Sequence, residues 1–382
     1  MTDSAGNVGP WYASARASRL LLPHESAALA PGLPAPTVRE VVTKIEEMVA
    51  ASPEDAFAFD AGGTATVSAP GRTYAAGRFA IPAIAELRAR LESRQPRAPG
   101  KLRLSALTGT HPLTDIGTLQ ASAPEGVLFQ AASQFNCLEA PGPRIVPVRY
   151  YLSDPTQGPR ASVSAFPGTL LRHYRAPSKD GSLFVQTDDR GINLLEDVFD
   201  DTVAEIWSGY LQVANVHQPS ELAESLEARF ERIRVGVHDG IEVVYGGSWG
   251  GPVPRAPEHR IAQVFTSTVA LGGYGPDRGW AEIAVARRQL LRAAYLGTIL
   301  AALDLGKHTI VLTLIGGGVF ANPLRDIWSA IHWALSEADR YADGVVDVIV
   351  NTRGNLDAQD RDAIRQREGG ILSLGSDGVS VT

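Results

Sequence analysis

The sequence predicts an α/β protein, a three-layer α/β/α sandwich with helices on both faces of a central sheet. Three observations carry that expectation. Strand-like and helix-like stretches alternate from residue 102 onward. TIVLTLI (309–315) is a continuous apolar run, as a strand covered on both faces requires. Ile283, Ala286, Leu290, Ala294, Gly297 and Ala301 recur at three and four residues within 281–303, which marks the packed face of a long helix.

The elements follow in order. Residues 1–38 are rich in Pro and Ala and read as irregular. Their 12–36 part has the Arg/Ser-rich, acid-poor character of a transit peptide, but reads more simply as a loosely docked arm. Thr37 precedes a helix over 38–51, and Glu40 three residues on completes a capping box. Residues 52–79 hold short strand-like pieces, 81–94 a helix, and QPRAPGK (95–101) a linker. The chain thus divides into an N-terminal extension, 1–100, with no role legible, and a domain over 101–382. GVLFQA (126–131) is a buried strand, followed by the polar SQFN. DPTQGP (154–159) is a turn whose Pro159 opens a helix. That helix must kink or stop at Phe166-Pro167-Gly168.

SLFVQT (182–187) reads as a strand, and 194–212 and 220–232 as helices. IRVGVHDGIEVVYG (233–246) reads as a hairpin turning at Asp239-Gly240. An inserted segment of helices and a hairpin near 190–260 follows from these readings. A long loop (246–260) and a strand, IAQVFTSTVAL (261–271), come next. Gly297 inside the long helix marks close packing on a sheet, and Gly306 ends the element. Helix 323–341 turns Ile327, Ile331, Ala334 and Ala338 inward, VVDVIV (345–350) is a last core strand, and the tail holds a short helix and a strand.

Composition removes several classes of function. With 382 residues and a net charge of -7, the chain has no global basic field for nucleic acid or anionic membrane. No apolar run approaches the roughly 18 residues of a membrane helix. One cysteine, Cys137, excludes an internal disulfide and points to a reducing, cytoplasmic compartment. With no His/Asn companion it reads as buried and inert. The lysines are Lys44, Lys101, Lys179 and Lys307; with abundant Ala, Gly and Pro this reads as GC-rich coding and a bacterial source. The eight histidines form no H-x-x-x-H or Cys/His cluster, so no metal is expected.

The chemistry concentrates at Gly316-Gly317-Gly318. Asn322 is a suitable N-cap and Pro323 a suitable first helical residue, so the glycines lie between a buried strand and a helix N-terminus. Glycines let backbone N–H groups approach an anion, and the helix end adds about half a positive charge. A diphosphate suits this loop; a tight turn is the plain alternative. A P-loop is excluded, because Val319-Phe320-Ala321 stands where Gly-Lys-Ser/Thr is needed. Gly316, Gly318 and Ala321 match G-x-G-x-x-A, but Val350-Asn351-Thr352 occupies the strand end where a dinucleotide fold places its ribose-binding acid. An NAD-dependent oxidoreductase stays as a rival. Gly246-Gly247-Ser248-Trp249-Gly250 matches G-x-S-x-G but enters a Pro-rich loop, not a strand-turn-helix.

FQAASQFNCLE, DPTQGP, QVFTSTVALGGYG, LLRAAYLGTILAAL, VLTLIGGGVFANP and VDVIVNTRG occur in that order. The succession resembles a macrodomain, the ADP-ribose-binding α/β/α family. It resembles more closely the divergent branch, known in bacterial effectors, that removes ADP-ribose from arginine side chains. The resemblance covers residues 103–354. It implies a hydrolase without cofactor, with ADP-ribose or an ADP-ribosylated protein as its partner. By resemblance Gly316, Gly317, Gly318, Val319 and Phe320 form the second phosphate loop, closed by Asn322, and Phe320 walls the ribose. Gln134 and Asn136 lie near the distal ribose. Asp154, Thr156, Gln157 and Gly158 form the first phosphate-side loop. Tyr274 or Trp280 stacks on adenine.

Cleaving an N-glycosidic bond needs a carboxylate to orient water or hold the leaving group, beside a fixed diphosphate. Asp154 is the first candidate and Glu139 the reserve. Each residue also has a plain reading: Asp154 capping its own turn, Gln134 and Asn136 as satisfied turn residues, Tyr274 and Trp280 as packing. Three departures stand out. PGPRIVPVRYYLS (141–153) has no carboxylate where the branch carries a further acid, the loop ends Phe-Ala-Asn, and Pro167 interrupts a helix. A non-catalytic reader of ADP-ribose is the alternative that the missing acid favours.

Overall fold

The computed structural model describes residues 37–94, 100–109, 113–124, 126–246, 259–275, 279–354, 356–375 and 378–382. The N-terminal arm, residues 95–99 of the expected linker, and the G-x-S-x-G stretch from Gly247 on lie outside the described residues. Thr37 caps α1 (Val38–Ala51) with the box its spacing predicts. Its hydroxyl accepts the Glu40 N–H, and the Glu40 carboxylate accepts the Thr37 N–H. A short helix, α2 (Pro53–Ala56), leads into antiparallel strands β1 (Phe57–Phe59), β2 (Ala65–Ala69) and β3 (Arg72–Ala80).

After α3 (Ile84–Glu92) come β4 (Lys101–Gly109), α4 (Ile116–Ser122) and β5 (Val127–Ala132). A 3₁₀ turn over Val148–Ser153 brings the chain to α5 (Gln157–Ser164). This helix stops at Ala165, and α6 (Phe166–Tyr174) restarts with Pro167 in its first turn, so the interruption is a break between two helices. Two short strands follow, β6 (Ala176–Pro177) and β7 (Leu183–Phe184), the latter all that remains of the strand expected over 182–187.

The helix expected over 194–212 does not form. Turns fill the stretch to residue 203, followed by β8 (Ala204–Trp207) and β9 (Tyr210–Val216). Asp200 accepts the N–H and hydroxyl of Thr202, a local bond that competes with a helix. Ser208 and Gly209 both take positive φ, 46° and 87°, and make the two-residue loop that pairs Trp207 with Tyr210. Next comes α7 (Pro219–Ala228), with a 3₁₀ turn over Phe230–Arg232.

The hairpin expected over 233–246 is instead one strand, β10 (Gly236–Glu242). Asp239-Gly240 makes a bulge, with Gly240 at φ 72° and a register shift between His238 and Ile241. The strand expected over 261–271 divides into β11 (Arg260–Thr266) and β12 (Val269–Ala270). β12 leaves the main sheet to join β9 and β8. The inserted segment is therefore a small three-stranded sheet with α7, rather than helices and a hairpin.

In α8 (Ala281–Asp304), Gly297 packs so closely that a Cβ there would lie 2.5 Å from Val235 Cγ1; Gly306 follows at φ 67°. The chain closes with β13 (Thr309–Thr313), α9 (Leu324–Ala338), β14 (Val345–Asn351), α10 (Ala358–Gln366), β15 (Ile371–Gly375) and β16 (Gly378–Val381).

Among the described residues, eleven strands form one sheet in the order β1-β2-β3-β10-β11-β5-β13-β14-β4-β15-β16. The stretch from β11 to β15 is parallel, and antiparallel strands extend it at both edges. The sheet takes strands from both sides of residue 100. Helices cover both faces. Gln130 of β5 reaches Ala294 and Thr298 of α8, whereas Gln263, paired with Phe129 and so on the opposite pleat, donates to Ala161 of α5. The expected three-layer arrangement is what the chain adopts. Among the described residues no helix is long and apolar enough to cross a membrane.

Candidate functional site

In an open sheet of parallel strands, ligands bind outside the carboxyl ends of the strands. A cleft of about 530 Å³ opens there, at the ends of β5, β13 and β14. Its floor and walls include Glu139, Asp154, Thr156, Gln157, Gly158, Tyr274, Gln134 and the whole run Gly316–Phe320. Asn136, Asn322 and Trp280 are not among its lining residues.

The glycine loop leaves β13 with its backbone half satisfied. Gly317 N–H donates to Leu314 O, Ala321 N–H to Gly318 O and Asn322 N–H to Gly316 O. The N–H groups of Gly316, Gly318, Val319 and Phe320 have no acceptor among the described residues. Gly318 and Val319 are exposed and Gly316 and Phe320 half-buried, so these donors are open to solvent in a loop that lines the cleft, an arrangement that suits an anion. Gly316 is held at φ 71°, and a Cβ there would lie 2.6 Å from both Asn322 Nδ2 and Thr268 Cγ2. A Cβ on Gly318 would meet nothing within 4 Å, so the space above the loop is open.

Asn322 does not cap α9, as the sequence led us to expect; Pro323 holds the cap position without a side-chain bond. Asn322 instead donates to Val269 O (3.1 Å), Gly316 O (3.3 Å) and Phe320 O (3.3 Å), tying the loop's two ends to β12. Across the cleft stands the N-terminus of α5, also without a side-chain cap. Thr156 N–H is taken by Asp154 Oδ1 at 2.8 Å, while the N–H groups of Gln157 and Gly158 have no acceptor among the described residues. Two sets of backbone donors thus look into one cleft.

The two carboxyl groups differ in environment. Asp154 is half-buried at the head of its turn. Glu139 is buried, and its Oε1 has no hydrogen-bond partner. Burial pushes the Glu139 carboxyl well above the usual carboxylate range; the Asp154 charge adds to the rise and the Arg172 guanidinium opposes it. A buried carboxyl whose protonated form is favoured is the kind of group that suits proton transfer to a glycosidic bond. Glu139, just before the carboxylate-free stretch 141–153, places a second carboxyl in the cleft with Asp154.

The segment Ser133–Ala140 that carries Glu139 is fixed by side-chain bonds. Gln134 Nε2 donates to Ala140 O and Tyr210 Oη, and its Oε1 accepts the Ala140 N–H. Asn136 accepts the Leu138 N–H and donates to Ser208 O. Cys137 turns at φ 61°, and its carbonyl accepts Arg172 Nε at 3.0 Å. Arg172 is fully buried over the Phe265 ring at 3.7 Å, and its Nη1 donates to His238 Nδ1. His238 Nε2 donates to Ala76 O, and burial lowers its pKa, so the neutral tautomer accepts from Arg172. Burial raises the Cys137 thiol to about 12, as expected of an inert sulfur.

Gln157 is likewise engaged: its Oε1 accepts Ile116 N–H and its Nε2 donates to Asp115. Four amide side chains, Gln134, Asn136, Gln157 and Asn322, therefore hold loops in place.

Tyr274 stacks on Tyr210 (5.0 Å) and meets Phe320 edge-on (5.2 Å), forming an aromatic wall beside the glycine loop. Trp280 sits at the start of α8 and packs against the main core.

Sequence reasoning passed over Arg353, Tyr210, Ser267 and Asn351, all of which line the cleft. Asn351 Oδ1 and Ser267 Oγ are buried there without a partner. Arg353 is an exposed cation at φ 51°, with no partner among the described residues. No periodicity marks these residues; strand order alone brings them to the cleft.

Gly158 gives a direct test of the Glu139 position. A Cβ at Gly158 would lie 1.8 Å from Glu139 Oε2, so Gly158→Ala must displace that carboxyl. The variant is expected to keep its fold and lose turnover by about 10²-fold, as an ångström-scale misplacement does. Thermal unfolding and initial rates measured side by side check this.

No protein-family model matches the sequence, and no curated protein matches it. Among solved structures, the chain is similar to poly(ADP-ribose) glycohydrolase from Thermomonospora curvata, at 14% identity over 86% of this chain and 98% of that one, TM-score 0.40. It is similar to the same enzyme bound to the inhibitor ADP-HPD, at 15% identity over 87% and 98%, TM-score 0.41. It is also similar to poly(ADP-ribose) glycohydrolase from Deinococcus radiodurans in complex with ADP-ribose, at 12% identity over 76% and 93%, TM-score 0.39.

Proposed function

We propose that this protein is a cofactor-free hydrolase that binds ADP-ribose and cleaves its glycosidic bond to an arginine side chain. One observation carries the reading: four open N–H groups of the glycine loop and the buried Glu139 carboxyl share one cleft. Strand order sets the layout. Glu139 follows β5, the glycine loop follows β13 and Arg353 follows β14, and these strands are adjacent. A diphosphate seated on the central loop points its scissile ribose toward Glu139 and Asp154, and its other end toward Asn351 and Arg353. Tyr274 and Phe320 wall the ribose.

Glu139 hands its proton to the departing nitrogen as the bond to the anomeric carbon breaks. Water adds to that carbon, and its lost proton restores Glu139. Asp154 orients this water and attracts a cationic guanidinium. The Asp154 carboxyl in the cleft, with Arg353 at its far end, favours a cationic leaving group.

Turnover of ADP-ribosyl-arginine, followed as released ADP-ribose, tests this. Release from the arginine linkage, and none from ester or serine linkages, is expected of a cytoplasmic arginine-specific hydrolase. Binding without release indicates a reader. Reduction of NAD with a hydride donor would support the oxidoreductase rival, against which stands Asn351-Thr352-Arg353 at the strand end where an acid is needed.

A further inference from the structure

The structure assigns to the N-terminal helix α1 a positioning role, exercised through Glu46, in holding the loop that carries Asp154; this rests on the hydrolase reading of the cleft. Glu46 is fully buried. Its Oε1 accepts the Val148 N–H and the Tyr174 hydroxyl, and its Oε2 accepts the Arg149 N–H at 2.9 Å and the Arg149 guanidinium at 3.4 Å. Val148 and Arg149 open the 3₁₀ turn Val148–Ser153, and Pro147 before it gives no side-chain cap. Glu46 therefore caps that turn from 102 positions away in sequence.

Asp154 is the residue on which the turn closes, its N–H donating to Tyr151 O at 3.1 Å. Tyr151, from the middle of the turn, is fully buried in one cluster with Val38, Val42, Ile45 and Val49 of α1. Apolar packing alone tolerates small shifts of one element along another. A carboxylate gripping two successive backbone donors fixes the register. Asp154 caps the C-terminal end of the turn, and its Oδ1 then holds Thr156 N–H at the mouth of α5. The segment before residue 100 thus completes the site rather than standing beside it.

The test compares Glu46→Gln and Tyr174→Phe with the wild-type full-length chain. Glu46→Gln puts an amide N–H₂ against backbone donors. It is expected to lower kcat on ADP-ribosyl-arginine about tenfold and to leave the Kd for ADP-ribose within about twofold, since none of the Glu46 hydrogen bonds reaches the glycine loop. Hydrogen exchange of amides 148–154 should quicken while that of 316–320 does not change. Tyr174→Phe removes one donor to the same carboxylate but neither backbone contact, and should turn over at the wild-type rate. Wild-type kcat and exchange in Glu46→Gln would overturn the proposal, and so would equal loosening of both loops. Should the wild-type chain itself show no turnover, the hydrolase reading falls, and exchange at 148–154 still decides whether Glu46 holds the loop.

Discussion

Glu139→Gln is expected to abolish turnover of ADP-ribosyl-arginine while ADP-ribose still binds. The amide keeps the shape of the buried side chain and cannot supply a proton. General acid–base catalysis contributes about 10²–10⁴-fold, so kcat should fall by about 10³. The wild-type profile should show the reason. The Glu139 carboxyl sits well above its ordinary range because burial disfavours the charged form. The rate should therefore hold above the ordinary carboxylate range and decline as pH climbs past the raised value. Stability carries the same sign. A carboxyl whose folded pKa is raised binds its proton more tightly in the folded chain, so its contribution to stability grows as pH falls from the folded toward the unfolded value. Glu139→Gln removes this dependence, and its unfolding midpoint at alkaline pH should equal or exceed that of the wild type. Loss of both binding and fold in the variant would show Glu139 to be structural. Asp154→Ala is expected to cost less, because Asp154 is half-buried and Glu139 holds the proton.

Gly316→Ala should abolish ADP-ribose binding. Gly316 stands in the left-handed region at φ 71°, where a side chain costs about 1–2 kcal/mol. The new methyl also lies 2.6 Å from Asn322 Nδ2, the group that ties Gly316 O and Phe320 O to Val269 O. The loop must open, and its four free N–H groups lose their common target. A titration should show affinity down by about 10²-fold or more, since several charge-assisted bonds of roughly 1.5–3 kcal/mol each are affected. Gly318→Ala, with open space above it, makes the contrast: no strain within the protein, and a methyl that meets the ligand instead.

How much of this was legible in the sequence depends on how local each signal is. The capping box at Thr37 and Glu40, the break before Pro167 and the stop at Gly306 are short-range, and all stand where expected. TIVLTLI and the glycine loop were legible because a doubly covered strand reads as an apolar run and needs a special turn to end. Residues 194–212 misled because Leu194, Leu195, Val198 and Val203 fit a helical spacing, while the Ser208-Gly209 turn that pairs β8 with β9 is a weak signal. Asp239-Gly240 suits a hairpin and a bulge equally, and Gly77 across the strand pair (its Cβ position 2.5 Å from Asp239 O) was invisible. Our proposal sets Glu139 above Asp154, the reverse of the order the sequence suggested, for a similar reason. Burial shifts a carboxyl, and burial here comes from Arg172, Tyr151 and Gly158, which lie far apart in sequence. The motif amides Gln134, Asn136, Gln157 and Asn322 read as ligand contacts but spend their bonds on loops. Arg353 became visible only when strand order set β14 beside β13.

Hydrogen–deuterium exchange over residues 314–323, with and without ADP-ribose, tests the main-chain cradle most directly. The account predicts that amides of Gly316, Gly318, Val319 and Phe320, open to solvent in the free protein, exchange markedly more slowly once the ligand is present. Unchanged exchange in this segment at saturating ADP-ribose would contradict it.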